Sequence, residues 1–272
     1  MVKKKQHKKH IWKWLLFIAI AVIIVEVSQS VADNRQSVII LDTNEIENVI
    51  IPEEIPNDIY RYTGFTVHFN RETHIPNCTV HELTREEVNG TSPRNNNFHQ
   101  DENVVGCPTL DDYKFSGYDR GHMVPAGDMK WDKQAMSDCF SLANMIPQKK
   151  ALNSGAWNKL EQKFRDWANR DSAIIVITGP IVTKDDLNIT IGESRVVVPS
   201  FVFKIALAPF VTPMRAIAFI YPNKKATGGL DKHVVSVDEV ENATGMDFFP
   251  SLPDEIENVV EASSDLNQWN VR

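Results

Sequence analysis

The chain has only three cysteines, and its histidines lack the spacing of a zinc site. With Cys78, Cys107 and Cys139 present, at least one thiol is unpaired. A disulfide between Cys78 and Cys107 is favoured, because Cys139 opens the apolar stretch Cys139-Phe-Ser-Leu142. Three reduced core thiols are the alternative. Structural or surface roles are expected for the scattered histidines His68, His74, His81, His99 and His233.

The chain lacks an apolar run as long as a typical membrane-spanning helix. Residues 14–25 form twelve apolar positions after six lysines and no acid in residues 3–13. A spanning helix needs about 20 residues, whereas a signal-peptide core has about 7–15. With small residues at Ser30-Val-Ala32, we expect residues 1–32 to be an export signal, or an uncleaved membrane anchor through residues 11–27. A mitochondrial presequence is disfavoured, because the run is too apolar and contains no arginine.

The chain also lacks an excess of basic residues. It has 29 Lys and Arg against 36 Asp and Glu. Without residues 1–32 the balance is 23 against 35, whereas proteins that bind polyanions usually have a basic surface. The charges are unevenly placed, since residues 143–170 hold six Lys and Arg against two acids and residues 231–272 hold two against ten. A local basic face on an acidic protein is therefore expected.

No internal repeat or low-complexity tract is present, so we expect an irregular lead-in at residues 33–59 and one domain at residues 60–272. Alternating or apolar runs predict strands at residues 65–69, 78–83, 173–178, 200–207 and 216–221. Thr84-Arg-Glu-Glu87 has the spacing of a helix N-cap box. Many strands with few helices predict an α+β fold with a mostly antiparallel central sheet and flanking helices.

Three further segments have recognisable patterns. Apolar residues recur at three- and four-residue steps from Asn153 to Arg170, which predicts an amphipathic helix whose Trp157, Phe164 and Trp167 are core residues. Residues 235–245 predict a short helix that ends near Gly245. Three glycines and a proline in residues 117–130 favour strand, turn and strand.

The segment Asp119-Arg-Gly-His122 places a carboxylate, a guanidinium and an imidazole around a glycine. By itself, such a tetrapeptide is more typical of an Asp–Arg pair beside a half-buried histidine. Thirty-one residues after His122, however, Asn153 opens the amphipathic helix that also carries Trp157 and Glu161.

These motifs together resemble the DNA/RNA non-specific endonucleases, a family of ββα-metal nucleases. The resemblance rests on Asp119-Arg-Gly-His122, Leu142-Ala-Asn-Met-Ile-Pro-Gln148 and Leu152-Asn-Ser-Gly-Ala-Trp157 with Leu160-Glu161. It continues through Thr178-Gly-Pro180 and Val198-Pro-Ser-Phe201, and covers about residues 60–255. It implies a ββα-metal, or His-Me finger, active-site motif.

The resemblance assigns the central roles to three residues. His122 would deprotonate the attacking water, Asn153 would be the protein ligand of Mg²⁺ with Mn²⁺ as a substitute, and Glu161 would act on the metal through water. On a regular helix, Glu161 lies about 12 Å beyond Asn153 and about 80° around the axis, which argues against direct binding of both to one ion. We expect Asp119 and the neighbouring backbone to hold the imidazole ring.

Four other residues receive supporting roles. Arg94 matches a family arginine that stabilises charge on the phosphorane. Arg120 would clamp a phosphate or pair with Asp119. Asn144 matches a family asparagine near the metal, with a buried hydrogen-bonding role as the alternative, and Gln148 is a weaker match.

The expected activity is Mg²⁺-assisted hydrolysis of phosphodiester bonds in DNA and RNA, which gives 5′-phosphate ends. None of the named groups would inspect a base edge or a 2′-hydroxyl group. The alternatives are a surface-anchored nucleic-acid-binding or uptake protein that does not cut, and an enzyme acting on a lipid or cyclic nucleotide phosphodiester in a closed apolar pocket.

Overall fold

The computed structural model describes residues 22–24, 38–40 and 43–269, and the chain divides into two units, residues 1–46 and 47–272. In the first unit, strand β1 (Val22–Ile24) pairs antiparallel with β2 (Val38–Ile40), and α1 (Thr43–Ile46) is one helical turn. All elements that follow belong to the second unit.

The second unit contains thirteen strands of very different length. They are β3 (Val49–Ile50), β4 (Asp58–Tyr62), β5 (Phe65–Asn70), β6 (Ile75–Thr84), β7 (Asp119–His122), β8 (Met145–Gln148), β9 (Ala173–Ile181), β10 (Thr190–Ile191), β11 (Val196–Val197), β12 (Phe201–Ala208), β13 (Arg215–Pro222), β14 (Val234–Val235) and β15 (Asp247–Phe248). Seven of them form the central sheet in the order β14-β13-β12-β9-β6-β5-β4. All neighbouring pairs in this sheet are antiparallel.

The helices are mostly short. They are α2 (Arg85–Val88), α3 (Leu110–Tyr113), α4 (Lys133–Asp138), α5 (Asn158–Asp171), α6 (Val237–Thr244) and α7 (Asp254–Glu261). A π-helical segment, Leu152–Trp157, runs directly into α5, and 3₁₀ turns cover Leu142–Asn144, Asp186–Asn188, Leu230–Lys232 and Leu266–Trp269. The predicted α+β class with a mostly antiparallel sheet is confirmed.

Local sequence signals explain where several elements begin and end. Thr84 caps α2 with the predicted box, since its side chain accepts a hydrogen bond from the Glu87 amide and Glu87 accepts one from the Thr84 amide. Ser236 caps α6 with Glu239 in the same way, and Gly245 ends that helix at φ 74°, a left-handed conformation suited to glycine.

The two faces of the sheet are covered by different parts of the chain. Neighbouring side chains on a strand point to opposite faces, and β12 shows this at Phe203 and Lys204. The Lys204 ammonium lies 5.5 Å from the Phe164 ring of α5. The Phe203 ring lies 5.6 Å from that of Phe248, in the segment that also carries α6 and α7. Helix α5 and the pair α6–α7 therefore lie on opposite sides of the sheet.

The structure corrects three sequence predictions. Cys78, Cys107 and Cys139 are all free and buried, so the favoured Cys78–Cys107 disulfide is absent. The segment 33–59, expected to be irregular, contains the short strands β2 and β3 and the start of β4. Residues 117–130 contain the single strand β7, after which the chain continues as a buried loop.

The loop after β7 is buried but pairs with no described strand. The side chain of Asn144 forms hydrogen bonds with its backbone in place of a neighbouring strand. The Asn144 side chain accepts a hydrogen bond from the Val124 amide (2.9 Å) and donates hydrogen bonds to the carbonyls of Val124 (2.9 Å) and Cys139 (2.8 Å). Buried backbone groups need such partners, and a side-chain amide provides both a donor and an acceptor.

The apolar face of α5 should dominate the stability of this unit. Phe164 is 1% exposed, and its ring lies 5.0 Å from that of Trp167 and 6.1 Å from that of Phe219 on β13. We expect Phe164→Ala to lower the free energy of unfolding by about 3–5 kcal/mol, because it leaves a cavity against the sheet. Urea unfolding monitored by circular dichroism measures this. The exposed neighbour Lys163→Ala is the control and should change stability by less than about 0.5 kcal/mol; equal effects would contradict the packing described.

Candidate active site

His122 lies at the end of a two-stranded ribbon that leads into the long helix. Strands β7 and β8 pair antiparallel, with Asp119 opposite Gln148 and His122 opposite Met145, and the π-helical segment follows four residues after β8. This is the predicted ββα arrangement. Gly121 is required within it, because a Cβ atom there would collide with the side chain of Gln148.

The ribbon, the helix and two loops enclose an open cleft of about 760 Å³. It contains most of the residues that the sequence assigned to catalysis: Arg94, Asp119, Arg120, His122, Asn153 and Glu161. Two more basic residues, Lys114 and Arg165, and one more acid, Asp111, also line it. Four basic residues therefore line the cleft against three acids, and only Arg165 comes from the basic segment 143–170 on which the predicted basic face rested.

His122 is held against aromatic rings at the wall of this cleft. It is 9% exposed, and its ring centroid lies 5.4 Å from that of Phe98 and 5.0 Å from that of Phe140. Its Nε2 atom is buried and has no hydrogen-bond partner, so Nδ1 is the nitrogen that remains for a group in the cleft. Burial, followed by the charges of Arg94 and Arg120, lowers the pKa of His122 to about 3. The imidazole is therefore neutral at physiological pH.

The two guanidinium groups that act on His122 are supported by the same aromatic rings. Arg94 lies 4.9 Å from the centroid of Phe140, and its Nε donates a hydrogen bond to Asn96. Arg120 lies 4.0 Å from the centroid of Phe98. Within the described residues, no ion pair joins Arg120 to Asp119, so the Arg120 guanidinium is available to an anion in the cleft.

Asp119 contacts Asn153. The Asn153 Nδ2 donates a 3.0 Å hydrogen bond to Asp119 Oδ2, and in the described structure no hydrogen bond joins Asp119 to His122. Because Nδ2 is engaged in this way, the carbonyl oxygen of the amide is left for a cation. Asp119 thus orients the predicted metal ligand.

Asn153 and Glu161 do not lie on one regular helix. Asn153 belongs to the π-helical segment, and Gly155, at φ −104° and ψ −110°, kinks the chain before α5 begins. The predicted offset of about 12 Å and about 80° assumed an uninterrupted α-helix, so it does not describe this pair. Both residues nevertheless line the same cleft.

Glu161 lies at the first turn of α5 beside a buried lysine of the sheet. Burial raises the pKa of Glu161, and the ammonium group of Lys204 opposes that effect. Lys204 is 1% exposed, and its Nζ donates a 2.7 Å hydrogen bond to the Thr178 hydroxyl. A carboxylate close to a buried ammonium group is favoured in its ionised form.

A buried cluster of charged and polar side chains lies next to Glu161 and Lys204. Asp128 is 1% exposed and accepts hydrogen bonds from His81 (3.2 Å) and Arg165 (2.7 Å). Arg165 also lines the cleft. His81 therefore has a structural role, as the sequence predicted for histidines outside the motif.

The two supporting residues are both fully buried. Asn144 makes the hydrogen bonds to Val124 and Cys139 described above, which position the loop that follows His122. Gln148 packs on Gly121, and neither polar atom of its amide has a hydrogen-bond partner.

The oxygen donors of the cleft fit a hard divalent cation. The oriented Asn153 amide oxygen and the Glu161 carboxylate are oxygen ligands of the kind that Mg²⁺ prefers, and Mg²⁺ often binds few protein groups. In the described part of the chain, the cleft holds no trio of His, Cys, Asp or Glu with closely spaced ligand atoms. That finding suits a cation that binds one amide rather than a carboxylate cage.

Several residues of the site escaped the sequence analysis. Phe98 and Phe140 support the arginines, and Lys204 and Asp128 lie behind Glu161. Lys204 did leave a signal, since it is the single charged residue in the apolar strand β12. Phe98 lies in a polar segment where one aromatic residue carries no particular pattern.

Comparisons with known proteins agree with this geometry. The family model described as DNA/RNA non-specific endonuclease matches residues 42–255. The mouse protein "Nuclease EXOG, mitochondrial" is 32% identical over 209 residues, which cover 71% of this chain and 57% of that protein. The "Mitochondrial nuclease" of Saccharomyces cerevisiae is 30% identical over 220 residues, which cover 72% of this chain and 67% of that protein. This chain thus spans little more than half the length of the mouse relative.

A solved structure of a related protein has a similar fold. A crystal structure of the EndoG/EndoGI complex, concerned with EndoG inhibition, matches with a TM-score of 0.67 at 25% identity. The match covers 72% of this chain and 87% of that chain. The predicted ββα-metal fold is confirmed.

The predicted export of this chain is wrong on these comparisons, because both relatives are named as mitochondrial nucleases. The segments behind that prediction, residues 1–32 and 11–27, lie outside the described residues except for Val22–Ile24. In the described part, no helix has the length and apolar character needed to cross a bilayer.

The low pKa of His122 predicts a dependence of stability on pH. The pKa falls from 6.5 to about 3 on folding, so the folded state binds fewer protons than the unfolded state between these values. Stability contributed by neutral His122 is therefore lost as the pH falls through this window. Between pH 7 and pH 5, wild type should lose about 2 kcal/mol more unfolding free energy than His122→Gln.

Urea unfolding in EDTA at both pH values measures this difference. His233→Gln, which changes a partly exposed histidine, is the control and should follow wild type. If His122→Gln loses as much stability as wild type, the imidazole is not held neutral by its surroundings.

Proposed function

The chain belongs to the DNA/RNA non-specific endonuclease family, and from this premise we propose that it hydrolyses phosphodiester bonds in both DNA and RNA by attack of water. The observation that carries the proposal is the position of His122, a neutral imidazole that lines the same open cleft as the guanidinium groups of Arg94 and Arg120. The base and the groups that would bind a phosphate are thus adjacent.

His122 is the general base of the proposed reaction. Its Nδ1 takes a proton from the attacking water, since Nε2 is buried in the wall of the cleft. An imidazole with a pKa of about 3 is a weak base, but the charges of Arg94 and Arg120 contribute to that value. A bound phosphate offsets those charges, so the substrate itself raises the basicity of His122.

The two arginines bind the phosphate and stabilise the charge that develops on it. A guanidinium group presents paired N–H donors to phosphate oxygens, and the rings of Phe140 and Phe98 fix the two groups in place. Because fixed donors require little reorganisation during the reaction, they favour the transition state over the ground state.

The family's metal ion would be held by Asn153 directly and by Glu161 indirectly. When bound, Mg²⁺, or Mn²⁺ in its place, supplies positive charge to the phosphate oxygens. Asp119 orients the Asn153 amide through its hydrogen bond, and Lys204 favours the ionised form of Glu161. The bond between phosphorus and the 3′ oxygen breaks, the 3′ oxygen takes a proton from solvent to become a hydroxyl group, and the phosphate stays on the 5′ oxygen of the other fragment.

Broad substrate use follows from the kinds of group in the cleft. The basic side chains Arg94, Lys114, Arg120 and Arg165 suit contacts to a sugar-phosphate backbone, which carry no sequence information. An open, charged cleft also favours a polynucleotide over a lipid or a cyclic nucleotide, for which a closed apolar pocket would be expected.

The first test uses the full chain with plasmid DNA and with total RNA in Mg²⁺ at low salt. We expect degradation of both substrates, complete inhibition by EDTA, and a loss of about 10²–10⁴-fold in kcat for His122→Ala. His233→Ala, a histidine change far from the motif, is the matched control and should retain activity. Binding of nucleic acid without cleavage by wild type, in Mg²⁺ or Mn²⁺, would instead support the non-cutting uptake protein.

A second test separates transition-state stabilisation from substrate binding. Arg94→Ala should lower kcat by about 10²–10³-fold with a smaller change in KM, because the lost donor acts mainly on developing charge. Arg94→Lys keeps the charge but not the paired donors, so it should recover only part of the rate. Steady-state kinetics on a short duplex measure both, with Arg61→Ala on the edge strand β4 as the control. A rise in KM alone would show that Arg94 only binds substrate.

A further inference from the structure

Three carboxylates converge on the side of the sheet away from the cleft. Asp238 and Glu241 lie three residues apart on one face of α6, and Glu261 is the last residue of α7. One ligand oxygen of each lies within 4.8 Å of the others. Among the described residues, no other group of three His, Cys, Asp or Glu residues is this close.

Burying a carboxylate in this cluster costs free energy unless a positive charge lies nearby. Glu261 is 6% exposed, and its Oε1 atom is buried with no hydrogen-bond partner among the described residues. A buried carboxylate oxygen loses its water, and no described group replaces that water. The neighbouring Glu241 is itself an acceptor, since its Oε1 accepts a hydrogen bond from the Phe248 amide.

The charges around Glu261 have the same sign. Burial, followed by the carboxylates of Glu241, Glu257, Asp238 and Asp247, raises the pKa of Glu261 to about 8. A group of acids around one buried carboxylate is electrostatically unfavourable unless a cation or protons neutralise it.

We propose that Asp238, Glu241 and Glu261 form a second divalent-cation site, selective for Ca²⁺, that joins α6 to α7. Oxygen ligands surround Ca²⁺ at about 2.3–2.6 Å, so two ligands of one ion lie up to about 5 Å apart. Three carboxylates from one protein suit Ca²⁺, because Mg²⁺ is usually bound by one or two carboxylates and keeps several waters. Asp238 and Glu241 are half-buried, which leaves a path from solvent to the buried Glu261.

This site would stabilise the protein and take no part in the reaction. Helices α6 and α7 both pack on β13, and the sheet lies between them and the cleft. A cation that binds both helices ties the acidic C-terminal segment to the sheet. The proposal does not depend on the proposed nuclease activity, which should remain when the site is removed.

The test compares the thermal unfolding of four full-length proteins in EDTA and in 5 mM free Ca²⁺. All carry Asn153→Ala, so that the amide ligand of the cleft is absent, and three carry in addition Glu261→Gln, Asp238→Asn or Glu255→Gln. We expect Ca²⁺ to raise Tm by about 5 °C in the parent and in Glu255→Gln, which removes an exposed carboxylate from α7. Glu261→Gln and Asp238→Asn should lose most of this shift.

Calorimetric titration with Ca²⁺ gives a second readout, in which one bound ion per chain should be lost in Glu261→Gln. Asp238→Asn, on the partly exposed side of the site, serves if Glu261→Gln fails to fold. An equal shift in all four proteins, or no shift in the parent, would overturn the proposal. A larger shift with Mg²⁺ than with Ca²⁺ would overturn the assigned selectivity.

Discussion

The buried ammonium group of Lys204 is the constraint on which the arrangement of the core and the cleft depends. Lys204 lies in the middle of the sheet, 5.5 Å from the centroids of Trp157 and Phe164, with one hydrogen bond to Thr178. A buried cation needs an opposite charge nearby, and Glu161 at the start of α5 provides it. The helix that carries Glu161 must therefore lie across this strand. Packing and electrostatics fix the same orientation of α5, so the position of Glu161 in the cleft is a consequence of the core.

The other half of the site depends on hydrogen bonds that replace a missing strand. After His122 the chain leaves the ribbon and enters the interior, where its backbone still needs partners. Asn144 provides them from the turn just before β8, and thereby ties the loop after His122 to the strand opposite it. A polar residue inside the core thus fixes the backbone on both sides of the imidazole. The same reasoning applies to Asp119, whose carboxylate fixes the amide of Asn153.

The sequence predicted the parts whose patterns are local. The strand pair at residues 65–83, the N-cap box at Thr84 and the order of the chemical motifs could all be found, because each depends on neighbours in sequence. Lys204 and Phe98 could not be placed, since their roles depend on which strand or loop faces them. The kink at Gly155 was missed because helical periodicity continues on both sides of it, and one glycine is compatible with a regular helix. The cysteines were misjudged because pairing depends on distances that composition does not contain.

The positive groups around His122 have opposite effects before and after substrate binds. In the protein alone, burial and then the charges of Arg94 and Arg120 oppose protonation of the imidazole and keep it neutral. Once a phosphate lies between them, their charge is compensated, and the same donors stabilise the additional negative charge of the transition state. In the proposed mechanism, a bound phosphodiester therefore makes His122 a stronger base. Such a dependence restricts proton transfer to the bound complex, and it requires no recognition of bases or sugars, which is consistent with a nuclease that acts on many sequences.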